Sequence, residues 1–195
     1  ILGSEAVINY SCELKFDGVS VSLTYQNGSL IQALTRGDGT QGDAITTNVK
    51  TIHTIPLKLI GDYPPFFEIR GEIIMPWKGF NKMNKERALK GEPLYMNPRN
   101  TASGSLKLQD SSLVAKRPLN CFLYALAGDQ LPVYSQYDAL EKARSWGFKV
   151  PESAKLVTNI DDVFEFIRFW DEKRKYLPYE IDGIVVKVNQ FDQQK

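Results

Sequence analysis

From Val19 to Tyr25 the chain alternates apolar and polar, with Val19, Val21, Leu23 and Tyr25 set against Ser20, Ser22 and Thr24. That is the period of a strand with one buried face. Asn27-Gly28 follows, and a second run over 29–35 completes a hairpin. Both turn residues tolerate positive φ, as a type I′ turn requires. Further strands are predicted over 11–16, 66–74, 119–126 and 181–188. Between them the period lengthens. Over 159–176, Val163, Phe166, Ile167 and Trp170 fall at i, i+3, i+4 and i+7, one apolar stripe of a helix. Asp161 and Asp162 at its start and Lys173, Arg174 and Lys175 at its end suit the helix dipole, and Pro178 stops it. Tyr137, Leu140 and Ala143 predict a shorter helix ended by Gly147, and 77–89 predicts a third. Strands dominate the first half and helices interleave in the second. The expected fold class is therefore α+β, largely antiparallel sheets with flanking helices.

Composition narrows the function classes. A chain of 195 residues makes one domain of roughly 100–200 residues. Apolar residues at 43% and charged residues at 24% are ordinary globular usage, which excludes a disordered or collagen-like chain. No apolar run approaches the ~18–20 residues that span a bilayer, so no membrane partner is expected. Ile1-Leu2-Gly3-Ser4-Glu5 is neither a signal peptide nor an initiator Met, so a piece of a longer protein is expected. Cys12 and Cys121 are too few for a disulfide scaffold or a Cys-rich zinc site, which fits a reducing cytoplasm. His53 is the single His, so a Ser-His-Asp or His-rich metal site is disfavoured, and no metal ligand is named. The net charge of +1 argues against a wholly basic DNA-coating protein and leaves room for a local basic groove.

Candidate chemistry gathers in a few segments. On a strand, Cys12, Leu14 and Phe16 point to one face and Glu13, Lys15 and Asp17 to the other. Pattern alone favours a solvated, salt-bridged face there. The functional alternative makes Lys15 a nucleophile, which requires the unprotonated amine, and free Lys titrates near ~10.4. Thr35-Arg36-Gly37-Asp38-Gly39-Thr40-Gln41-Gly42 is a glycine-rich loop directly after a strand. Such a loop can bring backbone N–H groups and Arg36 to phosphates, but it lacks the Lys-Ser/Thr ending of a Walker A site. Glu68, Arg70 and Glu72 share one strand face, either as a cross-strand ion ladder or as ligand-binding groups. Ile184-Val185-Val186-Lys187-Val188 reads as a strand buried on both faces, where Lys187 needs an anionic partner, a carboxylate or a ligand phosphate. Asn97-Pro98-Arg99-Asn100 reads as a capped helix start, with Arg99 and Lys107 as cations for a phosphate. The aromatics of the 159–176 helix read as core packing and surface anchoring rather than base stacking, and Lys82, Lys85, Arg87 and Lys90 as a solvated helix face or a DNA-backbone contact.

Taken in order, Lys15-Phe16-Asp17-Gly18, Thr35-Arg36-Gly37-Asp38-Gly39, Arg70-Gly71-Glu72, Asn97-Pro98-Arg99-Asn100 and Asp182-Gly183-Ile184-Val185-Val186-Lys187 resemble the adenylation (nucleotidyltransferase) domain of bacterial NAD-dependent DNA ligases. The first is similar to the K-x-D-G motif of covalent nucleotidyltransferases. The Arg-Gly-Asp-Gly loop and the Asn-Pro-Arg-Asn segment point to the NAD-dependent branch. The resemblance implies an ATP-grasp-like covalent nucleotidyltransferase fold. It implies that Lys15 attacks the α-phosphate of NAD to give lysyl-AMP, with Asp17 orienting or supporting that step. It further implies that Glu13 binds the adenine edge, Arg36 the AMP or its phosphate, and Glu72 the ribose hydroxyls. Lys187 would contact the α-phosphate and favour the reactive amine of Lys15, and Asp182 and Val185 would form the wall beside it. Arg99 and Lys107 would bind nicked double-stranded DNA. The family more often has Arg where Lys107 stands, which turns a bidentate contact into a point charge.

Mg²⁺ is implied for the full reaction, zinc only in a carboxy-terminal module absent from 1–195, and a monomer working in DNA replication and repair. On this reading 1–195 is an adenylation domain incomplete at both ends. An amino-terminal subdomain for nicotinamide mononucleotide and carboxy-terminal OB-fold, zinc, helix-hairpin-helix and BRCT modules would lie outside it, and 1–195 alone would not seal nicks. The alternatives are an ATP-dependent ligase or capping-type nucleotidyltransferase, and a non-catalytic β-rich binding module.

Overall fold

The computed structural model describes residues 7–36, 42–128 and 131–194. In chain order these form β1 (Tyr10–Phe16), β2 (Val19–Gln26), β3 (Ser29–Thr35), α1 (Thr46–Val49), β4 (Phe66–Ile74), α2 (Trp77–Leu89) and α3 (Pro98–Leu106). There follow α4 (Ser111–Ala115), β5 (Asn120–Ala127), α5 (Gln136–Ser145), β6 (Lys155–Val157), α6 (Ile160–Lys173) and β7 (Ile181–Val188). One sheet has the order β3-β2-β4-β5, the other β6-β1-β7, and every neighbouring pair is antiparallel. The α+β expectation holds.

Local chemistry sets the element ends. Asn27 and Gly28 both take positive φ, +48° and +73°, as the hairpin requires. Asn97, Ser135 and Asn159 accept backbone N–H bonds at the starts of α3, α5 and α6, with Pro98 as the first residue of α3. Gly147, at φ +99°, follows the C-cap of α5 and lets the chain turn away.

Packing divides the apolar residues between two cores. The larger joins the inner face of the four-stranded sheet, with Leu23, Tyr25, Phe67 and Ile69, to Ala102 and Leu106 of α3, Leu140 of α5 and the fully buried Trp146. The smaller joins Cys12, Leu14 and Phe16 of β1 to Val163 and Phe166 of α6 and to Ile181. Phe16 stacks on Phe122 of β5 at 4.7 Å, and Tyr179 meets both rings edge-on. These aromatics fasten the two sheets at one end. Their polar faces turn toward a common cleft.

Two expectations are corrected. The 181–188 run is not buried on both faces: β7 is an edge strand paired with β1 alone, and Val186 is 41% exposed. An apolar run on a half-covered edge reads the same as one in a sheet centre, so periodicity does not separate them. The face carrying Glu13 is not simply solvated, because Glu13 is only 6% exposed. On α6 the aromatics divide as expected between core and surface: Phe166 is buried, while Phe164 and Phe169 are half exposed. No helix among the described residues is long and apolar enough to cross a membrane.

Candidate active site

A cleft of about 800 Å³ lies between the two sheets. Glu13 and Lys15 of β1 and Asp182, Val185 and Lys187 of β7 form one wall. Ser20 and Ser22 of β2, Glu68, Arg70 and Glu72 of β4, and Tyr124 of β5 form the other, with Arg36 and Arg99 at the rim. The predicted Glu13, Lys15, Arg36, Glu72, Val185, Lys187 and Arg99 all line this cleft. Asp17 sits just behind Arg99, accepting from its guanidinium at 3.1 Å. Lys107 does not line the cleft; it is the C-cap of α3 and pairs with Asp43 at 3.0 Å. Of the glycine-rich loop, 37–41 lies outside the described residues.

On the first wall, register brings the charges together. Lys187 stands opposite Ser11 and diagonal to Glu13 across the β1–β7 ladder. Its Nζ lies 3.1 Å from Glu13 Oε1 and 3.2 Å from Oε2, which makes the carboxylate the anionic partner that a lysine in this strand demands. Glu13 Oε1 also accepts from Ser11 Oγ at 3.1 Å and Gln136 Nε2 at 2.9 Å. One strand step away the pairing breaks. Lys15 is opposite Gly183 while Phe16 is opposite Ile181, so Asp182 is an extra residue in β7. This bulge re-aims the Asp182 side chain, and its Oδ2 accepts from Lys15 Nζ at 2.9 Å. Gly183, at φ +155° with open space where a Cβ would be, carries the backbone through the irregularity.

The second wall has its own bulge. Arg70 is opposite Ala125 and Gly71 opposite Leu123, so Tyr124 has no cross-strand partner. Its carbonyl is thereby released from the ladder and accepts instead from Lys187 Nζ at 3.1 Å and Gln136 Nε2 at 2.8 Å. Its hydroxyl bonds Ser20 Oγ at 2.9 Å, and burial pushes that hydroxyl's pKa up. Glu68, Arg70 and Glu72 share a face as predicted, but among the described residues no ion pair joins them. Among the described residues Glu68 accepts from Ser22 Oγ, at 3.1 Å. Burial drives the Glu72 carboxyl up to about 7, against the pull of Arg99, Lys15 and the Gly18 N–H, with Asp17 adding to the rise. Glu72 therefore titrates near neutrality.

Sequence reasoning did not find Tyr124, Gln136, Ser20 or Ser22, nor the contact of Asp182 with Lys15. The serines alternate visibly along a strand. The bulges that deploy Asp182 and Tyr124 leave no mark in hydrophobic periodicity. His53 is exposed, and among the described residues no group of three or more His, Cys, Asp or Glu gathers as a metal site.

The arrangement offers an amine beside a carboxylate, paired acceptors and donors deep in the cleft, and arginines at its mouth. Such a set can hold a base, a sugar and a phosphate in line and present a nucleophile to the phosphorus. Comparison with known proteins places the chain in a family. The DNA ligase of Flavobacterium johnsoniae is 62% identical over 188 residues, 96% of this chain and 28% of the relative. That of Christiangramia forsetii is 59% identical over 98% of the chain and 29% of its own length, and that of Cytophaga hutchinsonii 48% identical over 93% and 27%. The chain thus spans under a third of the length of these relatives. The family model described as the NAD-dependent DNA ligase adenylation domain matches 1–195, end to end, and the chain belongs to that family.

Proposed function

We propose that this chain is the adenylation portion of a longer NAD-dependent DNA ligase, and that it forms a covalent lysyl-AMP at Lys15. One observation carries the reading: Glu13, Lys15, Glu72 and Lys187, scattered over the sequence, line a single cleft. In the proposed step the neutral Lys15 amine attacks the α-phosphorus of NAD. A P–N bond forms, the P–O bond to nicotinamide mononucleotide breaks, and the amine gives up one proton. Attack needs a free lone pair on Nζ, so the Asp182 contact is a resting-state contact that the substrate replaces. Glu13 receives the adenine edge and Glu72 the ribose hydroxyls, with Val185 against the nucleotide. Lys187, ion-paired with Glu13, reaches toward the nucleotide from the same wall. Arg36 and Arg99 meet phosphates at the mouth, where a guanidinium presents two parallel donors. Asp17 orients Arg99 and so supports the reacting phosphate.

AMP then passes to the 5′-phosphate of nicked double-stranded DNA, which Arg99 and Lys107 help to hold. Mg²⁺ would neutralise charge on the nucleotide phosphates; among the described residues no group of three or more His, Cys, Asp or Glu gathers to hold it, and no step above depends on it. The protein works as a monomer in the cytoplasm, in DNA replication and repair.

The test uses the full-length parent protein and donors labelled in the adenylate. Covalent label is expected from NAD and not from ATP, and Lys15→Ala should abolish it. Label from ATP would favour an ATP-using relative. Retention of label by Lys15→Ala would remove Lys15 as nucleophile, and no label from either donor would favour a non-catalytic binding module.

A further inference from the structure

Gln136 is a buried polar side chain, only 4% exposed, that the proposed reaction does not itself use. Its amide nitrogen donates to Glu13 Oε1 at 2.9 Å and to the Tyr124 carbonyl at 2.8 Å. Both partners are acceptors, so the amide has one workable orientation; flipped, it would set oxygen against oxygen twice. Its backbone is tied as well. Gln136 N donates to Asn189 O at 2.8 Å, and Tyr137 N to Asn189 Oδ1 at 2.9 Å. Asn189 directly follows β7, the strand that carries Lys187. One residue therefore joins β1, the bulge of β5 and the end of β7, which are the three elements around Glu13.

The effect on Glu13 is specific. Oε1 accepts from Ser11 and Gln136 and lies 3.1 Å from Lys187 Nζ in the ion pair, while Oε2 has Lys187 as its one hydrogen-bonded donor among the described residues, at 3.2 Å. A carboxylate oxygen has two lone pairs, so Oε2 keeps an acceptor site for a ligand. We infer that Gln136 is a positioning residue: by pinning Oε1 it aims Oε2 into the cleft as an acceptor, and so sets a preference for adenine over hypoxanthine. The inference rests on the reading that Glu13 receives the base. Adenine offers an exocyclic amine, a donor, where hypoxanthine offers an oxo group, an acceptor that a fixed carboxylate repels. A carboxylate free to rotate would let Lys187 turn toward the oxo group and weaken that discrimination.

The experiment compares NAD with nicotinamide hypoxanthine dinucleotide as donors to the full-length parent protein, scoring kcat/KM for covalent nucleotidylation. Wild type should favour NAD. Gln136→Met, which keeps the volume and removes both donors, should lower that preference about tenfold. Ser135→Ala, which loosens the same helix start without touching Glu13, should keep the wild-type ratio. A merely structural role for Gln136 would slow both donors alike, and an unchanged ratio in Gln136→Met overturns the inference. Should Gln136→Met fail to fold, Gln136→Leu decides. It too offers Glu13 no donor, and a ratio within twofold of wild type overturns the inference. Glu13→Gln separates the two levels. If it leaves the ratio unchanged, the base-binding reading and the inference both fall. If it lowers the ratio while Gln136→Met does not, the inference alone falls.

Discussion

The two walls of the cleft begin from the same pattern and end in opposite electrostatic states. Both are strands with apolar residues on one face and acid-base-acid on the other, Glu13-Lys15-Asp17 on one side and Glu68-Arg70-Glu72 on the other. On the first wall the charges at positions 13, 15 and 17 find protein partners at 2.9 to 3.2 Å: Lys187, Asp182 and Arg99. On the second, the described residues contain no ion pair, and Glu72 is held partly desolvated near neutrality. On the proposed reading the difference separates a wall that binds from a wall that reacts. The wall that would receive the ribose hydroxyls keeps Glu72 out of any ion pair among the described residues. The wall that would carry the nucleophile holds its charged groups in ion pairs, of which substrate would replace only the Lys15–Asp182 contact.

The largest test of that contrast falls on the buried pair. The Glu13 side chain is 8% exposed and that of Lys187 25%. Removing one partner of a buried ion pair strands the other charge, and the quarter exposure of Lys187 softens the penalty to about 2–3 kcal/mol. Lys187→Met should therefore lower unfolding stability by that amount in urea titration. A loss below about 1 kcal/mol would mean that the first wall is no more committed than an exposed pair.

Glu72 gives the converse prediction on the second wall. Its carboxyl is pushed from 4.5 to about 7, mainly by burial, so the folded protein holds that proton more tightly than the unfolded chain. Between those values the folded state carries more protons, and stability falls as pH rises, becoming flat above about 7. Glu72→Gln should remove this decline. At pH 8 the variant should be more stable than wild type by about 1–2 kcal/mol, after discounting for partial solvent access. Thermal melts of both proteins from pH 5 to pH 8 check the sign. A wild-type profile that rises over this range from Glu72 would reverse the picture of a wall strained to serve a ligand.

Much of this contrast is legible in the sequence, and the illegible part has a physical cause. Alternation over 11–16, 19–25 and 66–74 assigns the correct residues to the cleft face, because side-chain direction in a strand has period two whatever its partner. The hairpin at Asn27-Gly28 and the helix starts at Asn97 and Asn159 are legible because caps and tight turns are local chemistry. Partnership is not local. Asp182 meets Lys15, and the Tyr124 carbonyl meets Lys187, only because each strand carries one extra residue relative to its neighbour. A bulge is a property of a pair of strands rather than of one. Gln136 is beyond reach for the same reason: its position at the first turn of α5 predicts nothing about β1, which lies over a hundred residues earlier. The edge position of β7 is likewise set by which strands associate.

The smallest effect separates stability from chemistry most sharply. The side chains of Lys15 and Asp182 are 55% and 41% exposed, so water competes for both despite their 2.9 Å separation. Pairs this exposed couple by about 0.2–1 kcal/mol, because Coulomb attraction is screened and two flexible side chains lose freedom in forming the contact. A double-mutant cycle with Lys15→Met and Asp182→Asn should return a coupling in that range from urea titration. The same Lys15 variant should lose covalent adenylate altogether. The bulge in β7 would then be a device for aiming Asp182 at the amine, with little consequence for folding. A coupling above about 2 kcal/mol would place this pair beside Glu13–Lys187 as part of the fold's own support, and the first wall would hold a single kind of ion pair instead of two.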